Sequence, residues 1–64
     1  MTDDSQEGYI IEFIVVGKSV KVTAMDPVTL KEVSIIGARG ASRRELAALA
    51  VRKLQYVMAK KGDA

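Results

Sequence analysis

The residues best suited to chemistry lie in the stretch Gly37-Ala38-Arg39-Gly40-Ala41-Ser42-Arg43-Arg44-Glu45, where three arginines gather at what reads as the start of a helix. Free backbone N–H groups and the positive end of the helix dipole make such a start attractive to anions. Arg43 and Arg44 in the first turn oppose that dipole at a cost of ~0.3–1 kcal/mol each, and a bound phosphate would reverse the penalty. Arg39, in a glycine-flanked loop, could close on the same anion, with Arg52 and Lys53 adding general attraction. The plainer reading is that these are solvated charges, partly compensated by Glu45.

Catalytic chemistry finds little support. The 64 residues include no Cys and no His, which excludes disulfides, the usual zinc constellations and Ser-His or Cys-His nucleophiles. Glu12 and Glu32 would stand on strands separated by a third, with no cleft between them. Lys21 and Lys31 have no apolar pocket that would make a nucleophile of either. Gly37-x-x-Gly40 is too short for a P-loop and lacks its lysine. No catalytic residue, metal site or cofactor is therefore expected, and the chain reads as a non-enzyme.

The net charge of +2 conceals a division. From Arg39 to Lys61 the cations Arg39, Arg43, Arg44, Arg52, Lys53, Lys60 and Lys61 face only Glu45, whereas Lys18, Lys21 and Lys31 are outnumbered by Asp3, Asp4, Glu7, Glu12, Asp26 and Glu32 before them. This asymmetry suits an anionic partner such as RNA, or merely a solubilising helix surface. The opening Met-Thr-Asp-Asp-Ser lacks the pattern of a signal peptide, and no apolar run approaches the ~20 residues that span a bilayer. A cytoplasmic protein without membrane contact is the expectation.

The elements that would position these residues follow from periodicity. Residues 1–8 are polar, acidic and aperiodic and are expected to be a disordered tail. A single domain is expected over 9–61, with a frayed end at 62–64. Tyr9 to Val16 is β-branched or aromatic at nearly every position, and Ser19 to Met25 alternates, so both read as strands. Gly17-Lys18 between them suits a type II′ hairpin turn. With Val16 facing Ser19, the residues Ile11, Phe13 and Val15 face Ala24, Val22 and Val20 on one side of the sheet. Asp26-Pro27-Val28-Thr29-Leu30-Lys31 forms the next turn, and pairing Ala24 with Val33 and Val22 with Ile35 continues the same inner face. Such a loop often ends in a left-handed residue, which would be costly for Leu30 and leaves the third strand's register less firmly specified. Gly37 and Gly40 should break the third strand after Ile36. Ser42 and Glu45 then form a capping box, and the helix runs from about Arg43 to Lys60 or Lys61, with Gly62 as its stop. Leu46, Ala50, Leu54 and Val57 share one helix face, flanked by Ala47 and Met58. That face should cover Ile11, Phe13, Val15, Val20, Val22, Ala24, Val33 and Ile35. The fold class is α+β: a three-stranded antiparallel meander followed by one C-terminal helix packed on one sheet face.

One helix cannot cover two faces. Ile10, Ile14, Val16, Met25 and Ile36 would point away from it, interrupted by Glu12, Lys21, Thr23, Glu32 and Ser34. Burying a large aliphatic side chain contributes ~1.5–3 kcal/mol, which matters in so small a domain. Ile10, Ile14, Met25 and Ile36 are accordingly the candidate protein interface, to a second copy or an unidentified partner. Exposed β-branched residues that merely serve strand propensity are the alternative. Leu49 and Tyr56, off the main helix stripe, either widen the core contact or hold the edge of a partner.

Two resemblances add to this reading. The stretch from Gly37 through Arg43-Arg44-Glu45 to Leu54, preceded by three strands, resembles the C-terminal half of a double-stranded RNA-binding domain, whose last helix opens with basic residues that straddle phosphates. Ser42, Arg43 and Arg44 match that opening, while Ala47 stands at its third basic position and the family's first helix has no counterpart. Over Tyr9 to Lys60 the chain is also similar to a family of small uncharacterised proteins, mainly alphaproteobacterial. The match lies in the Asp26 to Thr29 turn, Glu32 to Ile35, and the Arg-Lys-Leu-x-Tyr-Val segment from Arg52 to Val57. Those relatives favour Gly where this chain has Leu30. The resemblance implies no established activity.

The expectation is therefore a protein of unknown function that acts by binding through its open sheet face. The alternative is a minimal RNA- or phosphate-binding module built on Arg39, Arg43 and Arg44.

Overall fold

The computed structural model describes residues 8–61. The tail expected over 1–8 lies outside these residues apart from Gly8, as do Gly62 and the end expected to fray over 62–64. Three strands, β1 (Ile10–Val16), β2 (Ser19–Met25) and β3 (Glu32–Ala38), precede one helix, α1 (Arg43–Lys61). The strands form one antiparallel sheet in the order β1-β2-β3.

Local chemistry accounts for both turns. Gly17 takes φ 61° while Lys18 stays at negative φ, the pattern of a type II′ turn whose twist suits a hairpin. The pairing that follows is the expected one, with Val16 opposite Ser19, Val15 opposite Val20, Phe13 opposite Val22 and Ile11 opposite Ala24. At the second turn the Asp26 carboxylate accepts hydrogen bonds from the Val28 N–H at 2.7 Å and the Thr29 N–H at 3.3 Å. The Leu30 N–H donates to the Asp26 carbonyl at 2.8 Å, and the Asp26 N–H to the Lys31 carbonyl at 2.9 Å. Closing this loop places Leu30 at φ 65°, a conformation that costs an L-residue ~1–2 kcal/mol. The strain does not disturb the register: Ala24 pairs with Val33 and Val22 with Ile35.

β3 differs from the sequence expectation. It does not stop at Ile36 but continues through Gly37, opposite Val20, to Ala38, opposite Ser19. The Arg39 N–H then donates to the Lys18 carbonyl at 3.0 Å. Gly37 is a seat for the helix rather than a strand breaker. A Cβ there would lie 2.5 Å from Leu46 Cδ2 and 3.1 Å from Leu46 Cδ1, so its bare backbone lets α1 approach the sheet closely.

The core comprises Val20, Val22, Ala24, Leu46, Ala47, Ala50, Val51 and Leu54, with Val22 and Leu54 the largest fully buried side chains. All three inward residues of β2 belong to it. Val51 joins the buried stripe, whereas Val57 is only half-buried. Helix α1 lies across β2 and β3, and β1 reaches the core only through Tyr9, just before it, and the half-buried Ile11 and Phe13. Val15, expected beneath the helix, is therefore 44% exposed.

Candidate functional site

The basic corner starts where Ser42 ends the β3–α1 connection. Its Oγ accepts a hydrogen bond from the Glu45 N–H at 3.2 Å, which satisfies one of the helix's free donors from within the chain. Two of the expected cations make contacts of their own with the sheet. The Arg43 guanidinium lies over the Phe13 ring, 4.8 Å from its centroid, a cation–π contact that draws it onto the inner face of β1. Lys53 donates from Nζ to the Ser34 carbonyl at 3.1 Å, at the outer edge of β3. Arg39, Arg44 and Arg52 are exposed. Among the described residues no group of three or more His, Cys, Asp or Glu side chains is placed to hold a metal ion, and no helix is long and apolar enough to cross a membrane.

The face opposite α1 is organised in rows by the register. Ile10, Met25 and Glu32 form one row, Glu12, Thr23 and Ser34 the next, and Ile14, Lys21 and Ile36 the third. The middle row is polar and internally bonded, with the Thr23 and Ser34 hydroxyls 2.8 Å apart. Of the four expected interface residues, Ile10, Ile14 and Ile36 are exposed and Met25 is half-buried. Ile36 stands at the far edge, separated from Ile14 by Lys21. β1 thus carries four exposed apolar side chains, Ile10, Ile14 and Val16 on this face and Val15 on the other.

Several exposed apolar residues lie outside both candidate sets. Val28 and Leu30 protrude from the second turn, where their only sequence signal was the cost of a left-handed leucine. Leu49 and Tyr56 are exposed rather than packed against the core. The Tyr56 ring instead lies 5.4 Å from Lys60 Nζ. Tyr9 is tied to the helix by the Gln55 side-chain amide, which donates to its hydroxyl at 3.3 Å.

Comparison with curated proteins and with solved structures gives no match. A family model does match over residues 6–61, nearly the whole chain, and the protein belongs to that family, described as Domain of unknown function (DUF6898).

Proposed function

We propose that the protein is a non-enzymatic binding domain that associates with a second copy of itself through the sheet surface opposite α1, using Ile10, Ile14, Met25 and Ile36. The observation that carries this reading is the exposure of isoleucines on both outer strands of a domain whose buried core is small. Among the described residues, three of the eight buried hydrophobic ones are alanines, and domains of this size commonly draw stability from a partner. The polar row through Thr23 and Ser34 supplies satisfied hydrogen bonds within an otherwise apolar contact.

Ile14→Lys tests it. Ile14 is 43% exposed, so the charge leaves the fold intact, as checked by circular dichroism, while sedimentation velocity should show the dimer of the parent protein gone. An unchanged sedimentation profile would remove this face from the interface. RNA is the competing partner, suggested by the partial likeness to a double-stranded RNA-binding domain and by exposed Arg39 and Arg44. A short RNA duplex that bound the parent and not Arg43→Glu/Arg44→Glu, with affinity falling steeply as salt rises, would replace the dimer reading if no self-association accompanied it.

A further inference from the structure

We propose that β1 is a self-complementary edge through which two copies pair antiparallel about a two-fold axis at Phe13, merging their sheets into a single six-stranded one. This rests on the self-association in the reading above, and it joins the copies along the β1 edge of the sheet rather than across its face.

The argument begins with hydrogen-bond parity. In a two-residue hairpin the residues flanking the turn form a hydrogen-bonded pair, and the pattern alternates from there. Val16, Ile14, Glu12 and Ile10 therefore spend their backbone groups on β2, while those of Ile11, Phe13 and Val15 point out of the open edge of the sheet. Carried across β2, the same parity turns the Ser34 carbonyl out of the β3 edge, which is where Lys53 meets it. A lysine laid over an edge guards it against strand addition. Among the described residues no lysine is laid over the β1 edge in this way, and the strand itself reads Ile-Ile-Glu-Phe-Ile-Val-Val.

The outward groups are symmetric about Phe13. Antiparallel pairing centred there sets Phe13 against Phe13 of the second copy and Ile11 against its Val15, in three hydrogen-bonded pairs of two bonds each. Charge selects the same register. Pairing centred on Glu12, or parallel pairing in register, would set Glu12 directly against its own copy, which is unfavourable. Centred on Phe13, Glu12 instead faces Ile14 of the second copy, with that copy's Lys21 next in the row, about 10 Å away between Cα atoms. On the inner face Phe13 and Val15, which α1 leaves partly uncovered, gain apolar neighbours. On the outer face Ile10 meets Val16. The two Arg43 guanidiniums flank the axis, each over its own Phe13 ring, so added salt should strengthen the dimer by screening them.

The test combines sedimentation velocity with amide exchange of the labelled protein over a dilution series, using the parent, Val15→Pro and, as a charge control away from the strand, Val28→Lys, at a residue 87% exposed. Proline at position 15 removes an N–H that β2 does not use, and proline is tolerated on an edge strand. Expected are a concentration-dependent dimer in the parent, with the Ile11, Phe13 and Val15 amides slowed at least about tenfold on association. Val15→Pro should be folded and monomeric, and Val28→Lys should remain dimeric. A dimer whose Ile11, Phe13 and Val15 amides exchange as fast as in the dilute sample would overturn edge pairing. So would a dimer that a folded Val15→Pro leaves intact; in both cases association through the sheet face opposite α1 still stands. A monomer at every concentration would overturn both readings. Should Val15→Pro fail to fold, the exchange pattern of the parent decides alone.

Discussion

Replacing Gly37 by alanine should destabilise the domain, and the loss should vanish when Leu46 is shortened. The alanine Cβ would stand 2.5 Å from Leu46 Cδ2, 3.1 Å from Cδ1 and 3.3 Å from Cγ. Carbon atoms in contact prefer ~3.5–4.0 Å, so Leu46 must give by about 1 Å. It is 6% exposed and part of the central cluster, so it has little room to do so. Overpacking of this kind costs ~1–3 kcal/mol. Against it stands a gain of ~0.5–1 kcal/mol, because glycine is a poor strand residue. The net loss is centred near ~1 kcal/mol and reaches at most ~2.5 kcal/mol, to be compared with a total stability of about 3–10 kcal/mol for a chain of this length. Leu46→Val deletes the δ carbons that make the two closest contacts. In that background Gly37→Ala should become stabilising by ~0.5–1 kcal/mol. Urea denaturation of the four proteins measures the cycle, and a coupling of ~1–3 kcal/mol stands well clear of the ~0.3–0.5 kcal/mol scatter of independent sites. Equal effects of Gly37→Ala in both backgrounds would refute the idea that Gly37 is where the helix seats.

Two further substitutions probe the ends of the elements. Ser42→Ala removes the acceptor of the Glu45 N–H and should cost ~0.5–2 kcal/mol, read as a lower urea midpoint with unchanged slope; no change would mean that the Ser42 cap contributes nothing to holding the helix. Leu30→Gly relieves a φ of 65° worth ~1–2 kcal/mol and adds ~0.5–1 kcal/mol of chain entropy to overcome. Because Leu30 is 66% exposed, little packing is lost and the melting temperature should rise by about 2–8 °C. A fall would show that the leucine makes contacts that outweigh its strain.

The strands and their register were legible because two independent signals agreed. Gly17-Lys18 admits one hairpin turn, and the alternation of Val20, Val22 and Ala24 admits one face, so either fixes the pairing that the other requires. Ser42 and Glu45 marked the helix start in the same way, through an acceptor three residues before the donor it meets. What could not be read was how far across the sheet the helix sits. An apolar stripe on α1 fits over any two adjacent strands, and periodicity says nothing about which pair is chosen.

That choice rests on contacts between elements, above all Leu46 against the bare backbone of Gly37. In the sequence the same glycine looks like punctuation, because a residue with no side chain signals a break as readily as a close approach. The two departures from the sequence reading therefore share one cause. Once Gly37 is a seat instead of a break, β3 runs on to Ala38 and α1 is drawn over β2 and β3. Val15 then loses its cover, and Leu49 and Tyr56 stay outside the packed stripe. Lys53, carried to the β3 side by the same shift, blocks that edge at Ser34, and among the described residues the strand left without such a lysine is β1. If the helix were centred over all three strands, β1 would be covered on its inner face, and the case for pairing through Phe13 would lose one of its main supports. The Gly37–Leu46 coupling thus bears on association as well as stability: a variant that frees the helix to move toward β1 should weaken the dimer even though it touches no residue of the proposed edge.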